Sequence, residues 1–109
     1  MKLVVIESPL GASTREGIER NKEYARMAML DSLRRGEAPY ASHLLFDQPG
    51  LLDDQHPTER ELGINAGFAW GGKADVVAVY QDHGISPGME RGIIRAKEAG
   101  QLIEYRRIL

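Results

Sequence analysis

Apolar residues fall into short unbroken runs separated by longer stretches in which they recur every three or four positions. Lys2–Glu7 (KLVVIE) is the first run, closed by Ser8-Pro9. A run without polar alternation predicts a strand covered on both faces. After the loop PLGASTREG, the spacing predicts a helix from about Thr14 to Arg35, with Ser13 and Glu16 as a capping box and Gly36 as the stop. Ala25, Ala28, Met29 and Leu33 form the stripe expected to lie on the sheet. Pro39 opens a second run, Tyr40–Phe46 (YASHLLF), predicted as a strand that carries His43. Asp47–Pro57 (DQPGLLDDQHP) is rich in acids and turn formers and predicts a loop. It is long for a connection in a small domain, a length common in functional loops. Thr58 and Glu61 suggest another capping box, with a helix over Glu59–Trp70 ended by Gly71-Gly72. Ala74–Tyr80 (ADVVAVY) is the clearest strand and the expected sheet centre. Ser86-Pro87 then starts a helix that runs to Ala99, with Gly100 behind it. Leu102–Tyr105 makes the last strand.

The predicted order is β-α-β-α-β-α-β without a hairpin signal. Such alternation requires right-handed crossovers and a parallel sheet with helices on both faces. We therefore expect a small doubly wound α/β fold, flavodoxin- or Rossmann-like, with four strands in the order 2-1-3-4. The 109 residues fit one domain spanning 1–109. Fourteen basic against sixteen acidic residues give a net charge of −2, without the basic excess of a nucleic-acid-polymer binder. The absence of cysteine excludes disulfides, thiolate zinc sites and a cysteine nucleophile. Glu7 and Pro9 end the first apolar run far short of a signal or membrane segment, so a cytoplasmic protein without membrane association is expected.

In open parallel sheets, ligands bind beyond the carboxyl ends of the strands where the strand order reverses. That rule selects the segments Glu7–Thr14, His43–Asp54 and Gln81–Glu90, together with the residues after Tyr105. Ser8, Gly11, Ser13 and Thr14 lead into a helix N-terminus, where free amides and hydroxyls suit a phosphate. The loop is neither a Walker loop nor a full GxGxxG, and an ordinary capped turn is the alternative. Asp82–Gly92 (DHGISPGMERG) carries more information. Gly84 and Gly88 leave room at the backbone, and Glu90 falls in the first helical turn over the sheet end. The helix dipole alone favours a glutamate there, but it does not account for the glycines around it. His43 is expected near the carboxyl end of strand two, as a structural or a substrate-facing residue. Asp47, Asp53, Asp54, His56 and Glu59 lack metal-ligand spacing, so no metal and no cofactor are expected. Ser8 has no GxSxG elbow around it.

Three segments together resemble the nucleoside 2-deoxyribosyltransferase-like superfamily, which includes deoxynucleoside 5′-monophosphate N-glycosidases and small phage-type domains. They are VVIESPLGAS, WGGKADVVAVY and, most specifically, ISPGMERG. The resemblance implies that Glu90 is a nucleophile attacking the anomeric carbon of a deoxyribose, with a glycosyl-enzyme ester released to water or another base. It further implies that Ser86 and Gly88, with Ser8 and Gly11, surround sugar and phosphate, and that the protein is a homodimer or larger homo-oligomer. Where the glycosidases carry a base-assisting aspartate, this chain has Gly67. Glu61, Asn65 and Asp82 are the remaining candidates for that role. Two functions stay in competition: cleavage or transfer of an N-glycosidic bond of a deoxynucleoside or its 5′-monophosphate, and a non-catalytic nucleotide-binding module. A carboxylate facing Glu90 across the pocket favours the first. A Glu90 paired with an arginine such as Arg91 or Arg95 and turned away from the cleft favours the second.

Overall fold

In the computed structural model, which describes residues 1–109, the chain runs β1 (Leu3–Glu7), α1 (Arg15–Arg34), β2 (Ala38–Tyr40), α2 (Ser42–Phe46), α3 (Pro57–Gly71), β3 (Val76–Tyr80), α4 (Pro87–Glu98) and β4 (Leu102–Arg106). All strand pairs are parallel and the sheet order is β2-β1-β3-β4, the order expected from the sequence. Every residue of β3 is buried. Successive side chains go to opposite faces, as the pleat requires. Val4, Ile6, Val76, Ala78 and Tyr80 pack with Tyr24 and Ala28 of α1. Val5 and Val77 meet Ala96 of α4, and Val79 meets Met89 and Ile93. Ala25 and Ala28 are fully buried beneath α1, while Leu33, expected on the same stripe, is half exposed. The small residues on this helix thus serve its close approach to its own sheet.

The second apolar run differs from expectation. Strand pairing covers only Ala38–Tyr40, and the chain then turns into the short helix α2 at Ser42. A run of seven residues is too short for its period to separate a strand from a helix. Ala41 and Leu44, three apart, reach the core together from one face of that turn. The protein therefore has four helices instead of three. Caps shift as well. Thr14, not Ser13, accepts the Gly17 amide at the start of α1, and His56, not Thr58, accepts from Glu59 at the start of α3. Ser86 caps α4 as expected, accepting from Met89.

The C-terminal edge is fastened by a polar network. Arg106, only 5% exposed, pairs with Glu37 at 2.8 Å and Glu104 at 2.9 Å and donates to the Tyr80 hydroxyl. Tyr80 in turn donates to Asp31 of α1. On the opposite edge, Ala38 directs its amide inward to the Lys2 carbonyl. Alternation then turns the next residue, Pro39, outward. No helix is long and apolar enough to cross a membrane.

Candidate functional site

The carboxyl end of β1 opens into a cavity of about 120 Å³, several times the space one water occupies. Its walls are β1, the loop after it, Tyr40 of β2, α2 and the loop behind it, α3, and α4 from its start to Arg95, beside the switch point between β1 and β3. Two loops selected from the sequence meet here. Ser8 and Gly11 line one side, and Ser86 and Gly88, at the N-terminus of α4, line another. In the first turn of α4 the Met89 amide is taken by Ser86 Oγ and the Glu90 amide by the Ser86 carbonyl, and Pro87 has none, which leaves the Gly88 amide free to face the cavity. Arg60 of α3 leans over this turn, its Nη2 3.4 Å from where a side chain on Gly88 would begin. Asp54 faces the Arg60 guanidinium at 3.7 Å.

His43 also lines the cavity, from α2 and not from a strand. Its Nε2 lies 2.7 Å from Ser8 Oγ. Burial, with Lys22 nearby, pushes its pKa down to about 4, so the imidazole is neutral at pH 7. The pair resembles half of a hydrolytic triad, but the residue after Ser8 is Pro9, which has no amide to stabilise an oxyanion. Ser8 and His43 are therefore suited to hold a hydroxyl or a phosphate oxygen. Lys22 is occupied by Asp47 at 3.1 Å.

Deeper in the cavity stand two charged residues whose site role the sequence left unassigned. Glu7, the last residue of β1, packs its carboxyl group against Gly92 of α4, where any Cβ would overlap both carboxylate oxygens. Burial pushes this carboxyl up to about 8, only partly offset by attraction to Arg95. Glu7 is thus largely a neutral acid at pH 7. Arg95, one turn beyond Gly92, lies 5.6 Å over the Phe68 ring. Its Nε and Nη2 are buried without a hydrogen-bond partner, as is the Tyr40 hydroxyl, which lines the same cavity. A signal for Arg95 existed in the sequence. It shares a helical face with Gly92 and sits beside the buried Ala96, a charge on the side of α4 that meets the sheet.

Other candidates lie elsewhere. Glu90 is exposed, does not line the cavity and has no ion-pair partner; Arg91 beside it binds Glu61 at 2.7 Å instead. Its position explains this: Met89 and Ile93 take the inward face of α4, and Glu90 is rotated off that face. Asp82 serves the chain itself. It accepts from the Tyr24 hydroxyl and from the amides of Ile108 and Leu109. Although burial opposes this, those hydrogen bonds hold its carboxyl down at about 2. Ser13 lines a separate groove together with Asp53 and Gln55. A Cβ on Gly67 would stand 2.9 Å from the Ser42 side chain of α2, so no aspartate fits there while α2 keeps its place. No three His, Asp or Glu side chains gather around a point where an ion could be held.

A family model described as a domain of unknown function, DUF7768, matches residues 2–106. The chain belongs to this family, and the match takes in every element of the sheet and the whole cavity. No curated protein and no solved structure matches the chain significantly.

Proposed function

We propose that this domain binds a nucleoside or nucleoside 5′-monophosphate in the cavity at the β1–β3 switch point. The observation that carries the reading is the meeting of Ser8 and Gly11 with Ser86 and Gly88 around one hollow. The α4 N-terminus and Arg60 supply positive potential for a phosphate, and Ser8 with His43 supplies hydrogen bonds for a sugar or phosphate oxygen. Glu90 stands outside this hollow, which favours a binding module over a glycosidase built on one chain. Titration calorimetry with a panel of deoxynucleosides and their 5′-monophosphates tests the reading. Measurable binding that weakens in Ser8→Ala and Arg60→Ala supports it, and no binding across the panel refutes it.

A second reading, cleavage or transfer of an N-glycosidic bond, is favoured by two observations. Glu90 is free of any salt bridge, and Glu7 provides a largely protonated acid of the kind that assists a leaving base. This reading goes with a homodimer or larger assembly in which a neighbouring chain closes the pocket above Glu90. Exposed Leu62 and Trp70 on α3 and Ile94 on α4 lie on the outer sides of the helices concerned. Release of free base, detected by chromatography and reduced by several orders of magnitude in Glu90→Gln with affinity little changed, supports it. Binding without base release from any nucleotide leaves only the binding function.

A further inference from the structure

The proposed nucleotide site leaves one question that its inner end addresses. Arg95 Nε and Nη2 are the two donors along a single edge of the guanidinium, and neither has a partner. This edge matches two adjacent acceptors side by side. Glu7 stands beside it, on the Gly92 patch one turn earlier on α4, yet forms no ion pair with it. A group lying between Glu7 and Arg95 therefore meets a pair of donors on one side and a carboxyl on the other.

We infer that this inner end reads the base of the bound nucleotide and that the Arg95 edge accepts one pattern, two adjacent acceptors. The protonated Glu7 carboxyl beside it can donate or accept. Guanine carries the pattern as O6 and N7, and cytosine as O2 and N3. Adenine sets its N6 amino donor beside N7, against the arginine edge, and thymine has no adjacent acceptor pair. The lengths agree. Gly88 and Arg95 are seven residues apart on α4, roughly 10 Å along its axis, and the arginine head reaches Phe68 and Gly71 of α3. A phosphate at the helix start and a base at Arg95 are thus spanned by one nucleoside monophosphate. The Arg95 guanidinium lies over the Phe68 ring, a cation–π contact that helps hold it at this end of the cavity.

This inference rests on the nucleotide-binding reading, and one experiment separates their failures. Dissociation constants are measured by calorimetry for dGMP, dCMP, dAMP and dTMP with the wild-type chain, with Arg95→Lys and with Arg95→Met. One bidentate contact discriminates by about tenfold or more. dGMP or dCMP is therefore expected to bind at least about tenfold tighter than dAMP and dTMP, and the comparison of the first two tells a guanine from a cytosine site. Arg95→Lys keeps the charge and most of the stem but not the two-donor edge. It is expected to bring the four constants together without abolishing binding, with circular dichroism showing the same fold; Arg95→Met does the same without the charge. Four wild-type constants within about threefold of one another, or dAMP or dTMP as the tightest ligand, overturn the inference while nucleotide binding stands. A preference retained in both folded variants overturns the assignment to Arg95. Absence of binding to all four overturns both proposals together.

Discussion

Replacing Glu7 by Gln removes a carboxyl that the fold holds in its neutral form, and the consequence is a change in how stability depends on pH. Burial raises this carboxyl from its ordinary 4.5 to about 8. A carboxyl raised in the folded state binds its proton more tightly there than in the unfolded chain. Its contribution to stability is full below pH 4.5 and is lost as pH rises toward 8. His43 works the other way. Its pKa is lowered from 6.5 to about 4, so the folded state gains stability as pH rises from 4 to 6.5. The two oppose each other up to pH 6.5, and above it Glu7 acts alone. Each pH unit across which one proton separates the two states is worth about 1.4 kcal/mol. Between pH 6.5 and 8 the wild-type chain should therefore lose about 2 kcal/mol, and Glu7→Gln should lose almost none of it. Urea unfolding at pH 6.5, 7.25 and 8, followed by circular dichroism, measures both curves. Parallel curves for the two proteins would show that the Glu7 carboxyl is solvated, and the reasoning from burial would fail.

Gly92→Ala puts a methyl group where the Glu7 carboxylate lies, and we expect a loss of about 1–3 kcal/mol in urea unfolding together with weaker nucleotide binding. Asp82→Ala frees the Ile108 and Leu109 amides and the Tyr24 hydroxyl. It should cost about 1–2 kcal/mol and speed amide exchange at the C-terminal residues, with nucleotide affinity unchanged because Asp82 does not line the cavity. Arg106→Met leaves Glu37 without its ion-pair partner and should cost about 3 kcal/mol by the same unfolding measurement.

The parts of the fold that repeat a strong pattern were legible in the sequence. The VVAVY part of ADVVAVY has no strongly polar position and became the buried β3, and Ser86-Pro87 started α4 at the residue expected. The parallel order followed from alternation alone. What failed was short or side-chain dependent. YASHLLF is a strand end joined to a helical turn, and only the tertiary contacts of Ala41 and Leu44 decide that. The acceptor at a helix start depends on which of Ser13 and Thr14, or His56 and Thr58, takes extended backbone geometry. In the candidate site, Ser8, Gly11, Ser86 and Gly88 could be found from their place at strand ends. Glu7 fell inside a selected segment and Arg95 carried a signal as a charge on the sheet side of α4, but their burial, and the lack of a partner for Arg95, show only in the folded chain. Glu90 stood out for its motif, yet rotation about the helix axis carries it off the face that meets the cavity.

The outward-facing Pro39 bears on how copies of this chain can meet. A sheet edge recruits further strands through free amides, and β2 is three residues long with a proline where its middle outward amide would be. Continuous sheets formed by β2 of one copy against a strand of another are therefore blocked at that margin. Growth of long cross-strand aggregates from this margin would first require β2 to detach.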